Sequence, residues 1–344
     1  MMEIKLNDLS PKKTLWLVIL VLLLAIGGFI GIRSYNQQYL PVDPANQKPI
    51  DVYIPADSSA RQVASILHEH QLIRSQNTFL SYCSKEKLDT RLKPGHYSFN
   101  QSLSLAEIAQ RIAAGQVIKI KITIPEGYTV NEIGAMLSEK QLCTQEAWQK
   151  AVQANYPYDF LNKVPSEAKQ KLEGFLFPDT YYIEKGASSQ DIVEIMLQNF
   201  ASIWDKEFAQ QAKAKNMDVF ETIILASLIE EEAMHDDERV TISGVIKNRL
   251  QKGMYLQLCP TVLYCIDEKK TELSNADLDI ESPYNTYRNP GLPPGPIANP
   301  GKASIAAALN PEENEYFFYV AKGNGTHYFS RTFDEHLQAM ARYQ

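Results

Sequence analysis

A chain of 344 residues that is 44% hydrophobic and 22% charged suits two or three globular domains and is too apolar to be largely disordered. Its formal charge of −7 and the scatter of its basic residues exclude a nucleic-acid partner, which would need a basic stripe to displace phosphate counterions.

Residues 1–13 read as a short cytoplasmic tail. Residues 14–32 carry no charge over 19 positions, about 28 Å of helix and just enough to span a bilayer core. A cleaved signal peptide would have a shorter apolar run and a small-residue cleavage site. Neither an A-x-A pattern nor a lipobox cysteine follows, so a single uncleaved N-terminal transmembrane helix is expected. Lys12 and Lys13 precede the run and only Arg33 directly follows it. The positive-inside bias then keeps the N-terminus cytoplasmic and places the rest outside the cell membrane, or in the periplasm where there is one. Residues 33–50, with three prolines, read as a linker.

The next segment repeats at an offset of 70 residues. SSARQVASILHEHQLI (58–73) aligns without gaps on YTVNEIGAMLSEKQLC (128–143), and each is preceded by a short strand and an Ile-Pro step, Ile54-Pro55 and Ile124-Pro125. Strand, turn and helix are predicted twice. Val63, Ile66 and Leu67 in one copy, and Ile133, Met136 and Leu137 in the other, recur with the spacing of one buried helical stripe. Between the copies, LKPGHYSF (92–99) reads as a turn and strand, and SLSLAEIAQRIAAG (102–115) as a capped helix closed by glycine. Such units resemble LysM-type glycan-binding modules. That makes residues 51–155 a LysM-like repeat region, for which glycan contact and plain packing are both open.

Residues 156–344 are expected to form a mixed α/β domain, so the whole chain is α+β. Helical stretches (188–215 and 218–234) alternate with segments dense in Pro, Gly, Asn and Tyr. SPYNTYRNPGLPPGPIANPG (282–301) has six prolines and three glycines and cannot be regular structure. Its tyrosines and asparagines favour a rigid wall over a flexible linker. EYFFYVAKGNGTHYFS (315–330) predicts a hairpin around Gly-Asn-Gly.

The helix opened by the capping-box pattern DVFE (218–221) is apolar all the way round, as buried helices are. It runs directly into Glu230, Glu231 and Glu232. Desolvation, like-charge crowding and the negative end of the helix dipole all favour a protonated carboxyl, which is what a general acid near neutral pH requires. At about 100° per residue, Glu232 stacks over Leu225, Leu228 and Ile229, whereas Glu230 lies over Ala226 and Ser227, and Glu231 over Ser227 and Leu228. Glu232 is therefore the candidate acid. The plainer alternative is that the helix leaves the core here and the glutamates are its wet end. Glu232 and His235 have the spacing of half a di-metal carboxylate site. No second E-x-x-H occurs, and no metal is expected.

Four cysteines, Cys83, Cys143, Cys259 and Cys265, would lie in a disulfide-permitting compartment outside the membrane. Three full pairings are possible, and buried free thiols are the alternative.

Taken in order, LEGFLFPDTY (172–181), ILASLIEEEA (224–233), GVIKNRLQKGMYLQLCPTV (244–262), the segment 282–301 and SIAAALNPEENEYFFYVA (304–321) resemble the endolytic murein transglycosylase family, also called YceG-like. The anchor, KPGHYSF and the repeat fit as well, so the likeness covers nearly the whole chain. It implies a lytic transglycosylase, with residues 156–344 as its catalytic domain. The reaction implied is cleavage of the β-1,4 bond between N-acetylmuramic acid and N-acetylglucosamine inside peptidoglycan strands, leaving 1,6-anhydro ends and limiting nascent-strand growth. The family's acid is the second carboxylate of an E-x-E pair, here Glu230 and Glu232, which implies Glu232 as the single acid/base. The sugar's own 6-hydroxyl is the nucleophile, so neither a second carboxylate nor a cofactor is called for. Glu173, Gln257, Tyr284, Asn285 and Tyr287 lie inside the matched motifs and are the candidate substrate-binding residues. Glycan strands, the membrane and peptidoglycan synthases are the implied partners, with the protein single-pass in the cell (inner) membrane. A non-catalytic, membrane-anchored glycan-binding scaffold of the synthesis machinery is the alternative, against which the intact Glu232 speaks. Two departures stand out. Cys259 replaces the aspartate of the family's LQxDPTV and Cys265 a small residue, a joint change that suggests a disulfide. Glu231 stands where the family often has lysine, a third acid that would add repulsion.

Overall fold

The computed structural model describes residues 11–266, 270 and 273–343. Two compact units are present, Met1–Ile120 with Glu184–Gly186 and Lys121–Ile183 with Ala187–Gln344.

The first unit begins with α1 (Pro11–Gln37), on which Leu15, Trp16, Leu20 and Leu24 are exposed. Among the described residues no helix is long and apolar enough to cross a membrane. β1 (Ile50–Ile54) follows, then α2 (Ala60–Glu69), α3 (Gln76–Lys85), β2 (Gly95–Phe99) and α4 (Leu105–Ala114). β1 and β2 pair antiparallel from Ile50 opposite Phe99 to Ile54 opposite Gly95. The two-residue alternation of a strand turns Val52, Ile54, Tyr97 and Phe99 inward, onto Val63, Leu67, Phe79, Ile108 and Ile112 of the helices. Reciprocal capping boxes start α2 (Ser59 with Gln62) and α4 (Ser104 with Glu107). α4 stops at Gly115, which is left-handed at φ 70°.

The second unit holds α5 (Val130–Glu139), α6 (Gln145–Val152) and most of β3 (Lys119–Thr123) and β4 (Thr180–Glu184), with β3 paired to β4. α5 is the second copy of the repeat. Its capping box, Thr129 with Glu132, sits 70 positions after that of α2. Both copies leave the helix through a left-handed glutamine, Gln71 at φ 55° and Gln141 at φ 57°. Val63 and Leu67 are buried in one, Ile133 and Leu137 in the other, while Ile66 and Met136 are only partly covered. Where the first copy has Ala64, the second needs Gly134, because Trp148 of α6 lies on it. A Cβ there would stand 2.2 Å from the indole ring, whose Nε1 donates to the Val130 carbonyl at 2.9 Å.

The helix expected over 188–215 is interrupted. α7 (Ser189–Ile203) passes through a π turn at Trp204–Phe208 into α8 (Ala209–Ala214). Then come α9 (Val219–Glu232), α10 (Arg239–Gln251), α11 (Cys259–Leu263), α12 (Asn275–Leu278), α13 (Lys302–Leu309), the antiparallel β5 (Phe318–Ala321) and β6 (His327–Ser330), and α14 (Phe333–Tyr343). α9 is central, packed on α13, α10 and α11, with Ile223, Ala226, Leu228 and Ile229 fully enclosed. The proline-rich segment 282–301 has no helix or strand, and residues 295–301 are buried. Hydrogen bonds replace secondary structure there. Ile297 N–H donates to Ser227 Oγ at 3.1 Å, and Leu176 N–H donates to Asn299 Oδ1 at 2.8 Å. It is a rigid wall, and the protein is a mixed helix-and-strand fold.

Candidate active site

The end of α9 sends its three glutamates to three environments. Glu230 turns inward, its side chain only 7% exposed, and pairs with the equally covered Arg239 of α10 at 3.2 Å. Its other oxygen accepts from the Gly301 N–H at 2.9 Å. Arg239 is completed by Ser304 Oγ at 2.6 Å and Asp236 Oδ1 at 3.0 Å. The apolar-stripe argument missed this burial of Glu230, which is compensated by a fully bonded cation.

Glu232, the last residue of α9, is half-buried. Tyr319 of β5 donates its hydroxyl to Glu232 Oε2 at 2.9 Å. Burial pushes the Glu232 carboxyl above the ordinary carboxylate range, and the Tyr319 hydrogen bond, His327 and Arg249 counteract that only in part. Arg249 of α10 is itself buried, its donors directed to the Phe317 carbonyl at 2.6 Å and the Leu256 carbonyl at 2.5 Å. It acts on Glu232 through its field and makes no ion pair with it. His327 stands on β6 with its ring edge toward Tyr319 at 5.2 Å. Its Nδ1 lies 2.8 Å from Glu238 Oε2, and its N–H donates to Glu238 Oε1 at 2.9 Å. The hairpin thus delivers a donor and an imidazole to the end of α9, with Glu238 fixing the imidazole. Sequence reasoning found the hairpin and missed Tyr319, His327 and Arg249 as neighbours of Glu232, and Glu238 as the partner of His327.

Glu231 is exposed as a residue, yet protein crowds its carboxyl. Burial first, then Glu230, Glu132 and Glu232, push it up to about 7.

The residues expected to hold substrate divide into two groups. Glu173 is 1% exposed. Its Oε1 accepts from Val130 N–H at 2.9 Å and Asn299 Nδ2 at 3.2 Å, its Oε2 from the Tyr264 hydroxyl at 3.0 Å, and burial pushes it up to about 8. Asn285 is fully enclosed, donating to the Leu278 and Ile280 carbonyls at 2.9 Å each and accepting from Tyr287 N–H at 3.0 Å. Tyr284 is buried and its hydroxyl accepts from Lys169 N–H at 3.1 Å. These three brace the walls from behind, and direct sugar contact is not open to side chains so enclosed. Gln257 is exposed, held at φ 51° with its N–H on the Thr286 carbonyl at 3.1 Å. Tyr287 is half-buried and its phenol feels both Glu232 and Arg249. Both present side-chain surface, Tyr287 beside Glu232.

All four cysteines are free thiols, which corrects the suggested Cys259–Cys265 bridge. Cys259 Sγ lies 3.2 Å from the Tyr287 hydroxyl, and Cys265 Sγ donates back to the Thr261 carbonyl of its own helical turn at 3.1 Å. Each sulfur has its own neighbour. Among the described residues no group of three or more His, Cys, Asp or Glu side chains could hold a metal ion.

One desolvated carboxyl at the tip of an apolar helix, held by a tyrosine, is the setting in which the sequence of the whole chain finds its relatives. The profile of the YceG-like family matches residues 52–342. The chain belongs to the YceG-like family. It is 35% identical over 326 residues to the endolytic murein transglycosylase of Bacillus subtilis (strain 168), covering 91% of this chain and 90% of that protein. It is 30% identical over 358 residues to the endolytic murein transglycosylase of Streptococcus pneumoniae serotype 2, covering 95% of this chain and 64% of that longer protein. The crystal structure of a YceG-like protein from Listeria monocytogenes superposes with a TM-score of 0.58 at 31% identity, over 85% of this chain and 99% of that one.

Proposed function

We propose that this YceG-like chain is a peptidoglycan lytic transglycosylase in which Glu232 is the single acid/base. The observation that carries this is the Glu232 carboxyl, raised by burial and held on one oxygen by Tyr319. The half-buried Tyr287 lies close enough to feel the Glu232 charge. Protonated Glu232 donates to the glycosidic oxygen as the bond between N-acetylmuramic acid and N-acetylglucosamine breaks through an oxocarbenium-like state. The carboxylate so formed takes the proton of the muramic 6-hydroxyl, which closes on C1 and leaves a 1,6-anhydro end. The nucleophile belongs to the substrate, so its effective concentration is high and no water-activating partner is required. Cutting inside strands in this way limits the growth of nascent glycan.

The proposal extends to placement. Residues 14–32 anchor the chain in the cell membrane, supported by the uncharged run and the exposed apolar side chains of α1. Residues 1–13 stay cytoplasmic, 33–50 act as a spacer, and the LysM-like region 51–155 and catalytic domain 156–344 work outside the cytoplasm on strands supplied by peptidoglycan synthases.

Digestion of purified peptidoglycan followed by mass spectrometry tests the chemistry. Anhydro-ended internal fragments are expected from the wild type, and a loss of about 10²–10⁴-fold from Glu232→Gln in a folded protein. Reducing ends would mean hydrolysis, and an undiminished variant would remove Glu232 from its role.

A further inference from the structure

One residue before Glu232, and about 100° round the helix, Glu231 lines a cavity of about 610 Å³ within the second unit. The position of its carboxyl is set by backbone. Gly127 is left-handed at φ 78°, and a Cβ on it would lie 2.9 Å from Glu231 Oε1. Leu263, Ile266 and Ile297 give the same space an aliphatic side, which it shares with Thr129, Asn131 and Glu132. Two lysines also border it, and both are engaged: Lys270 Nζ lies 2.7 Å from Asp277 Oδ1, and Lys169 Nζ donates to the Tyr264 carbonyl at 3.1 Å. No cation or hydrogen-bond donor among the described residues meets the Glu231 carboxyl. An acid facing a cavity with an aliphatic side, and with no partner among the described residues, matches a ligand with a hydrocarbon segment ending in an ammonium group.

We propose that this cavity is a binding subsite for an aliphatic primary amine, with Glu231 receiving the ammonium group and the aliphatic lining its carbon chain, and that the occupant is the amine-bearing stem peptide of a bound glycan strand. The assignment of occupant rests on the function proposed above. Stem peptides branch from the lactyl group of muramic acid, and Cα atoms of consecutive residues are about 3.8 Å apart. On the function proposed above, the stem peptide is the amine-bearing part of the substrate, and residue 231 directly precedes Glu232 in the chain. The volume lies within the range of roughly 300–1,000 Å³ usual for small-ligand sites. Position 231, often lysine in the family, is on this view a specificity determinant that reads the charge of the peptide.

The test uses the full-length chain in detergent and three substrates: strands with free stem-peptide amines, the same strands acetylated, and strands stripped of peptide by an amidase. Wild type should show a KM about tenfold lower for free-amine than for acetylated strands, the scale of one charge-assisted contact. Glu231→Gln should abolish that difference while leaving kcat on stripped strands unchanged, and Glu231→Lys should reverse it. Equal KM values for free and acetylated strands in the wild type would overturn the proposal. So would a Glu231→Gln defect of equal size on all three substrates. Calorimetry with a capped lysine-containing peptide reads the subsite without turnover. Glu231-dependent binding in a protein that cuts no strand would reject the cleavage chemistry and keep the subsite, whereas cutting without amine dependence would do the opposite. A plain diamine that binds through Glu231 without any amine effect on KM would overturn the stem peptide as occupant.

Discussion

The Tyr319 hydroxyl donates to Glu232 Oε2 at 2.9 Å, so an aromatic strand at the end of the chain sets the proton affinity of a carboxyl 87 positions earlier. Donation to a carboxylate favours its ionised form and opposes the upward push of burial. Tyr319→Phe removes the counterweight. The Glu232 carboxyl should rise further and stay protonated to higher pH. The falling limb of kcat/KM on the alkaline side of the acid should then move up by about one unit, with a drop of roughly tenfold at the plateau as the carboxyl loses its hold. A limb that stays where it was would leave Tyr319 with a packing role only.

Glu230 and Arg239 form a covered ion pair, whose value lies less in the attraction than in the cost of breaking it. Arg239→Met leaves a buried carboxylate without its cation and should lower unfolding free energy by roughly 3–5 kcal/mol. Adding Glu230→Gln should restore most of that loss. Denaturant titration of the single and double variants measures both.

Glu173 gives a pH signature of stability. Its folded-state pKa is raised from 4.5 to about 8, mainly by burial, so the folded protein binds this proton more tightly than the unfolded chain does. The resulting stabilisation is complete below about pH 4.5 and is lost as pH climbs through about 8, at about 1.4 kcal/mol per unit of separation. Glu173→Gln cannot titrate. Its Tm relative to wild type should therefore rise steadily between pH 5 and pH 8, and a constant difference would show that Glu173 is ionised throughout.

The thiols should differ sharply in reactivity. Cys259 is exposed, whereas Cys83 is fully buried and pushed up to about 11 by that burial. Iodoacetamide should label Cys259 first and leave Cys83 untouched until denaturation. Reduction should not change the intact mass. Because Cys259 abuts Tyr287, labelling should also slow strand cleavage.

Local features were legible in the sequence. The repeat could be read because capping boxes and i, i+3, i+4 stripes are carried by neighbours along the chain, and Ser59 and Thr129 cap as their surroundings dictate. The stripe of leucine and isoleucine beneath Glu232 was legible because it is also local. The π turn at Trp204–Phe208 was not visible, since the apolar pattern of 188–215 suits an uninterrupted helix equally well. Tyr319, His327 and Arg249 reach Glu232 through the docking of a hairpin and a helix, and alternation within a strand says which residues share a face without saying what that face meets. Glu173 and Asn285 show the complementary limit. A polar residue inside a motif can point to substrate or to the back of a wall, and only the hydrogen bonds of the folded chain separate the two.

Glu230 is fastened at one oxygen to α10 and at the other to the backbone where α13 begins. The last turn of α9 is consequently part of a three-helix clamp, and the orientation of Glu232 is a property of that clamp. Grafting the glutamate helix alone onto another scaffold would transfer the side chain without its aim. A minimal transplant must carry Arg239 and the Gly301 turn along with it.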